Sequence, residues 1–394
     1  MANKTVVGID IGTYQIKVVV AESDPTSDSG LHVLGTGLAE SKGLHHGYII
    51  NPTDVTKSLR KAISQAEKTS NIRIKKAYLS LGGIGLGASV ATGAVIISKA
   101  DSEITDTDMK SVLIAAEEEL SQAVITNRKI IHAIPLSYKI DGKAVFGRPV
   151  HMKGNRFEVK GLFITYLEQH LNDLVEAVEN AGIEVIDVMV APLAAGLVTL
   201  NKTQKIAGCV LANIGSETVS IVVYENNTPI SLEVFPIGGN NITNDIALGL
   251  RIPLEEAEHI KLGTILGADY PKKKLEEIVV ARLGDIFDLI EAHLKKIGRS
   301  GLLPAGIVIT GGGAGVDAIE EIAKATLKLP SRVALMEFAH NVKVNNMKDA
   351  SWSVAYGLCV FGLNTGDSEE VGIHLRIQSD VLKKVGGWLK QFLP

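Results

Sequence analysis

Apolar positions along this chain fall into short runs of strand length, separated by glycine-bearing turns and by longer stretches of helical periodicity. Thr5-Val6-Val7-Gly8-Ile9-Asp10-Ile11-Gly12 reads as a buried strand ending at a turn, and Ile16-Lys17-Val18-Val19-Val20-Ala21 as the strand that returns from it. The spacing predicts a hairpin around Gly12-Thr13-Tyr14-Gln15. A polar turn over 25–30 leads to a third strand over 31–39. Pro52-Thr53-Asp54 then opens a helix to about Lys68, with Thr53 or Asp54 as its cap and Val55, Leu59 and Ile63 as its apolar stripe. Lys76 to Leu81 is a further buried strand. From Gly82 to about Lys160 the pattern changes to short strands around one acidic helix starting at Thr105-Asp106-Thr107-Asp108, whose Glu117-Glu118-Glu119 reads as a solvated face. A strand over 159–166 and a helix over 167–181, closed by Gly182, follow.

The plan of the first hairpin then returns. Cys209-Val210-Leu211-Ala212-Asn213-Ile214-Gly215 runs through Ser216-Glu217-Thr218 into Val219-Ser220-Ile221-Val222-Val223-Tyr224, an apolar strand, a polar residue, an Ile-Gly turn and a returning strand. Self-similarity at this distance predicts two related lobes. Residues 254–300 are mostly helical. Ala305 to Thr310 is a buried strand ending at Gly311-Gly312-Gly313, followed by helices over 317–329 and 349–363.

Composition narrows the function. The 394 residues are 46% hydrophobic and 21% charged with a net charge of −4, which supports several buried cores and excludes both a disordered chain and a globally basic nucleic-acid binder. Cys209 and Cys359 each lie in an apolar run, so neither a disulfide framework nor a cluster of zinc-binding thiolates is expected, and a reducing compartment suits both. The N-terminus lacks the pattern of an export signal, and no run of about 18 apolar residues can cross a bilayer. Membrane contact is therefore expected to be peripheral. His45-His46 has no acidic ligand at metal spacing, and it reads as structural, as does His132. Lys272-Lys273-Lys274 reads as a solvated turn.

Three glycine-rich turns stand at strand C-termini: two Ile-Gly turns and Thr310-Gly311-Gly312-Gly313-Ala314. Such turns let backbone N–H groups approach phosphate oxygens. With neither a P-loop lysine motif nor a strand–helix G-x-G-x-x-G, the expected phosphate site lies between two hairpins. In this order the turns resemble those of the actin-like, sugar-kinase-like and heat-shock-chaperone ATPases. Gly8-Ile9-Asp10-Ile11-Gly12-Thr13 is similar to their first phosphate loop, Asn213 to Thr218 to the second, and Thr310 to Ala314 to the adenosine loop. Residues 183–198 and 351–363 resemble the two helices that connect the lobes. Within that group the resemblance is closest to the FtsA family of bacterial division proteins. It is carried by Pro236-Ile237-Gly238-Gly239 with Asp245-Ile246-Ala247, by Pro253 to Lys261, by the strand-rich insert and by a basic amphipathic end.

The resemblance implies an α/β, two-lobed actin-like ATPase fold of duplicated ribonuclease-H-like cores. It implies subdomain 1A from 1–83, 161–200 and 351–363, a 1C insert over 84–160, and 2A with 2B over 201–350, 2B being about 246–303. It implies ATP with Mg²⁺, the ion held by Asp10. The nucleotide would meet Gly12, Thr13, Tyr14 and Lys17 of the first loop; Asn213, Gly215 and Ser216 of the second; and Gly238, Gly239, Glu258, Lys261, Gly311, Gly312 and Gly313. Lys17 is either a phosphate contact or a surface charge. Glu258 and Lys261, one helical turn apart, are either a surface ion pair or a wall of the adenine and ribose pocket. A groove on 2B for the FtsZ C-terminal peptide would use Arg282, Lys295, Lys296 and Arg299. Self-association into filaments, FtsZ tethering at the septum and no nucleic acid complete the implication. One departure is that the family's second loop carries Asp where this chain has Asn213, which offers Mg²⁺ a neutral oxygen and cannot take a proton from water. At most slow hydrolysis is expected. Alternatives are a PilM-like pilus-assembly homologue and a sugar-kinase-type phosphotransferase.

The C-terminus carries a separate signal. After a polar linker over 364–379, residues 380–394 place Val381, Val385, Trp388 and Phe392 at i, i+4, i+7 and i+11, with Leu382, Leu389 and Leu393 beside them and Lys383, Lys384 and Lys390 for the other side. Apolar face, Trp, Phe and lysines are the pattern of a helix that lies on an anionic membrane surface. Gly386-Gly387 lowers its helix propensity by about 2 kcal/mol, so it is expected to fray away from lipid. The alternative is a helix docked on the protein body.

Overall fold

The computed structural model describes residues 4–24, 30–99, 101–263, 270–334 and 349–365. The chain opens with β1 (Thr5–Ile11), β2 (Gln15–Ser23), β3 (Leu31–Glu40), a two-residue pair β4 (Leu44–His45) and β5 (Tyr48–Ile49), helix α1 (Pro52–Ser70) and β6 (Lys76–Leu81). The β1–β2 hairpin forms as its sequence predicts, with Asp10 opposite Lys17. Helix α1 buries Val55, Leu59 and Ile63, but its cap is Asn51, whose side chain accepts from the Asp54 N–H, and not Thr53 or Asp54. Pro52 is the reason: it belongs in the first turn, which moves the cap one residue before it.

The insert comprises β7 (Leu86–Ile96), α2 (Asp106–Glu118), the short α3 (Gln122–Ile125), β8 (Arg128–Ile140), β9 (Lys143–Val145) and β10 (Arg156–Leu167). Helix α2 starts as its sequence predicts, Thr105 and Asp108 forming a capping box. The sheet order is β7-β10-β8-β9, with its own core around Phe157, Phe163 and Val159. The expected boundary at 160 is too early. Residues 161–167 are the second half of β10, hydrogen-bonded between β7 and β8, and they belong to the insert sheet.

Next come α4 (Glu168–Asn180), β11 (Glu184–Val190), α5 (Ala191–Thr199) and α6 (Lys202–Ala207). Residues 183–198 are therefore not one helix. Their first half is strand β11, in parallel register with β6, and the helix starts only at Ala191. The β-branched and alternating Glu184-Val185-Ile186-Asp187-Val188-Met189-Val190 favours a strand at a sheet edge.

The second lobe is β12 (Cys209–Ile214), β13 (Val219–Glu225), β14 (Thr228–Phe235), α7 (Gly239–Leu250), α8 (Leu254–Lys261), α9 (Lys272–Lys296), β15 (Ile307–Thr310), α10 (Ile319–Leu327) and β16 (Ser331–Val333). After the third glycine turn the chain makes a 3₁₀ turn over Gly312–Gly315 before α10. The last elements among the described residues are a 3₁₀ turn over Ala350–Trp352 and α11 (Ser353–Asn364).

The two sheets have the same order and the same senses. The first is β3-β2-β1-β6-β11 and the second β14-β13-β12-β15-β16, each with three antiparallel strands continued by two parallel ones. The sequence repeat is thus a repeat of a whole five-stranded core. Helix α11 packs on β1, β2 and α5, burying Leu358, Cys359 and Phe361, and so fastens the first lobe to the helix that leads into the second. Cys209 and Cys359 are buried free thiols that burial pushes up to about 12, so neither is a thiolate.

Candidate functional site

The first two glycine turns are superposable in their bonding. Gly12 N–H donates to the Gln15 carbonyl at 3.2 Å, and Gly215 N–H to the Thr218 carbonyl at 2.8 Å. Each glycine sits where a Cβ would press on that carbonyl, at 2.8 Å and 3.0 Å respectively. The turns face each other across the lobes, with Thr13 Oγ1 2.6 Å from Ser216 Oγ. The sequence marks both loops, but it does not show that their hydroxyls meet.

Behind the turns the duplication is chemically asymmetric. In the first lobe, Asp10 stands opposite Lys17, and Ser80 from the neighbouring strand β6 donates to Asp10 Oδ1 at 2.8 Å while accepting from Ile11 N–H at 3.3 Å. The equivalent positions of the second lobe are Asn213, Ser220 and Thr310. Three groups that include a charge pair are thus replaced by three neutral ones. Burial pushes the Asp10 carboxyl up and the Lys17 ammonium down, and the charge of each opposes the shift of the other; Asp349 also favours the charged lysine. Lys17 is only 9% exposed and lies 5.9 Å from the Trp352 ring centroid, so it is not a surface charge. Ser80 and Trp352 carry no motif of their own; only strand adjacency brings them to the site.

The third turn packs onto the second. Gly311 has φ +89°, and a Cβ there would stand 2.4 Å from Asn213 Oδ1 and 2.5 Å from the Ile214 carbonyl. Gly313 is held equally close to the Ile214 side chain, whereas a Cβ on Gly312 would meet nothing within 4 Å. Gly312 is thus the member of the triplet that faces open space. Gly238 and Gly239 close the other side: Gly239 N–H donates to the Gly215 carbonyl at 2.9 Å and Asn240 N–H to the Ser216 carbonyl at 2.7 Å. The first turn of α7 is thereby spent on the loop itself.

Glu258 and Lys261 are not a surface ion pair. The Lys261 side chain is 6% exposed and donates to Glu258 Oε2 at 2.6 Å, Thr243 Oγ1 at 2.9 Å and the Gly239 carbonyl at 3.3 Å, which uses all three ammonium protons. Thr243 also bonds Glu258 Oε2 at 2.5 Å. This network ties α8 to the start of α7 and, through Gly239, to the second phosphate turn. Thr243 lies one helical turn after Gly239, the one sequence signal that could have found it. Tyr14 is half exposed, its carbonyl accepting from Ser41 N–H at 2.9 Å.

The four expected peptide-binding cations do not form one patch. Arg282 makes a two-pronged pair with Asp245, at 2.6 and 3.1 Å, and Arg299 makes another with Glu225. Thirteen residues of helix separate Arg282 from Lys295, which is about 20 Å along the axis. Only Lys295 and Lys296 are exposed, Lys295 having Glu291 at 3.5 Å. The expected linker and the amphipathic residues Val381, Leu382, Val385, Trp388, Leu389 and Phe392 lie outside the described residues, save for the linker's first two. Among the described residues no helix is long and apolar enough to cross a membrane, and no group of three or more His, Cys, Asp or Glu can hold a metal.

Comparisons with known proteins agree with this architecture. A family model described as cell division protein FtsA matches residues 210–357, and one described as the SHS2 domain inserted in FtsA matches residues 87–165. Cell division protein FtsA of Bacillus subtilis is 30% identical over 97% of this chain and 89% of its own length. The Pseudomonas aeruginosa protein of the same name is also 30% identical, over 92% and 90%. That of Escherichia coli K12 is 27% identical over 98% and 96%. Among solved structures, a chain of the PilM-PilN type IV pilus biogenesis complex overlays with a TM-score of 0.70 at 16% identity, covering 91% of this chain and 98% of that one. MreB5 of Spiroplasma citri bound to ADP gives 0.51 at 13%, covering 91% and 96%. At such identities the overlays show the fold, which is the actin-like one.

Proposed function

The chain belongs to the FtsA family of cell-division proteins, and from that premise we propose that it binds Mg-ATP between its two hairpin turns, assembles head to tail into filaments and tethers FtsZ to the inner face of the cytoplasmic membrane at the division site. The observation that carries the nucleotide part is the convergence of three glycine turns on one place. Two are related by duplication, and the third presents Gly312 to open space beside them. The turns contribute backbone to phosphates, and the Glu258–Thr243–Lys261 network fixes the wall behind them.

The donors present fit a magnesium ion. Mg²⁺ is commonly held by one or two carboxylates with water and nucleotide phosphates completing its shell. Asp10 supplies the carboxylate, with Oδ1 oriented by Ser80. When bound, the ion neutralises phosphate charge. Burial pushes the Asp10 carboxyl up, and Lys17, held opposite it, favours the charged carboxylate against that shift.

Asn213 occupies the place of Asp10 in the second lobe and offers no base. Turnover is therefore expected to be well below about 1 s⁻¹, the slow end of enzyme rates. Phosphate release measured on wild type and Asn213→Asp should show a higher rate in the variant. A wild-type rate of enzyme size, or a fall in the variant, refutes this assignment.

The tether reading is tested with anionic liposomes, purified FtsZ and Mg-ATP. FtsZ is expected to pellet with the liposomes only when this protein is present. FtsZ lacking its C-terminal peptide should stay in the supernatant. Lys295→Glu with Lys296→Glu is expected to weaken that recovery, since of the four expected peptide-binding cations these two are exposed. FtsZ recovery independent of this protein rejects the tether. A PilM-like role is the weaker reading, because the likeness there is in fold, whereas FtsA relatives match in sequence along the whole chain.

A further inference from the structure

The β4–β5 turn of the first lobe reaches across to the second phosphate turn. His46 N–H donates to Glu217 Oε2 at 2.5 Å, His46 Nδ1 lies 3.2 Å from the Glu217 carbonyl oxygen, and His45 Nδ1 lies 3.4 Å from Glu217 Oε1. Glu217 stands at the tip of a hairpin, yet its side chain is only 19% exposed, whereas His45 is 61% exposed. Beside this contact the Thr13 and Ser216 hydroxyls meet at 2.6 Å. Three contacts thus join the β4–β5 turn to the second phosphate turn, and a fourth joins the first phosphate turn to the second.

The element that presents His46 is stiff. His46 has φ +49° and Gly47 φ +89°, and Ile84 N–H donates to the His46 carbonyl at 3.1 Å. A Cβ on Gly47 would stand 2.6 Å from Gly83 Cα, so the turn is locked backbone against backbone onto the end of β6. A non-glycine residue held at positive φ costs energy and persists only where its surroundings enforce it. Here the enforced conformation points the His46 N–H at a carboxylate of the other lobe. A carboxylate turned into a phosphate loop repels phosphate; Glu217 is turned to the histidine turn instead.

We propose that Glu217 is a latch between the lobes, holding the second phosphate turn against the β4–β5 turn and so slowing nucleotide release. The proposal rests on the nucleotide lying between the two hairpins. Parting the lobes to release it requires the His46–Glu217 bond to break. That bond joins a carboxylate to a backbone N–H, the stronger class of hydrogen bond, whereas the His45 pair is largely exposed and screened. Glu217 is a positioning residue: it acts on the turn and takes no part in chemistry.

The test compares wild type, Glu217→Ala, Glu217→Gln and His45→Ala in two measurements on the full-length protein. The first is hydrogen exchange of the 44–49 segment without nucleotide. The second is stopped-flow release of a fluorescent ADP. Glutamine keeps an oxygen that accepts from His46 N–H; alanine does not. Glu217→Ala is expected to exchange faster at His46 and to release ADP about tenfold faster, as loss of one charge-assisted hydrogen bond predicts. His45→Ala should stay within about twofold of wild type, and Glu217→Gln should fall between wild type and Glu217→Ala, because the bond to His46 N–H survives there without its charge. Release that is unchanged in Glu217→Ala overturns the latch. So does slower release from both Glu217 variants, which is what a merely repulsive charge gives. If the wild-type protein binds no ADP, the nucleotide reading fails and the release claim with it, while the exchange measurement still reports whether Glu217 holds the turn.

Discussion

Gly312→Phe is expected to leave the protein folded and to abolish measurable binding of Mg-ATP and Mg-ADP. The three glycines of the third turn look interchangeable in sequence, but the structure separates them. Gly311 is at φ +89° and a Cβ there would collide with Asn213 and Ile214; Gly313 is pressed against Ile214. Substituting either would disturb β12 itself and would say nothing about a ligand. Gly312 lies in a 3₁₀ turn at ordinary φ, is exposed, and a Cβ placed on it would meet nothing within 4 Å, so an aromatic ring there projects outward without strain. A ring in the space assigned to the nucleotide should weaken binding by at least about 100-fold, roughly 2.7 kcal/mol. Calorimetry measures the affinity, and thermal unfolding within about 2 °C of wild type certifies the fold. Undiminished affinity would remove the nucleotide from the third turn and with it the convergence on which the functional reading stands.

What the sequence made legible was what repeats or alternates. Both hairpins stood out because an apolar strand, a polar residue and an Ile-Gly turn occur twice, and the structure extends that repeat to all five strands of each sheet. Asp10 was marked by the resemblance, as the carboxylate of the first phosphate loop. Residues that act through strand adjacency were not legible. Ser80 reaches Asp10 only because β6 runs parallel to β1, and Thr243 becomes the hub of Glu258 and Lys261 only when α8 folds onto α7. Charge was legible in sign but not in availability: Arg282 and Arg299 looked free, yet each is already spent on a carboxylate far away in sequence, Asp245 and Glu225. Segment 183–198 misled because the apolar residues of β11 run without a turn signal into those of α5, leaving only the β-branched bias of the first half to mark the change.

Trp388→Glu is expected to release the protein from anionic liposomes while leaving nucleotide affinity unchanged. Residues 380–394 hold three Lys against one Asp, a side-chain charge of +2. At about 1 kcal/mol per cation near an anionic surface, electrostatics is a modest and salt-sensitive part of the attachment. The apolar stripe must supply the remainder, and Trp388 is its largest member. A glutamate at that place removes the anchor and sets a charge against the lipid. One short interfacial helix holds only weakly and reversibly. Filaments resolve this, since many tails on one polymer act at high effective concentration, and a defect in each tail is multiplied along the filament. Co-sedimentation of wild type, Trp388→Glu and a chain ending at Ser379 is the measurement. Loss of pelleting in both altered chains, with wild-type pelleting that weakens in high salt, fits a surface helix. Equal pelleting of all three sinks it and favours a helix docked on the protein body, whose substitution should then lower the unfolding temperature instead.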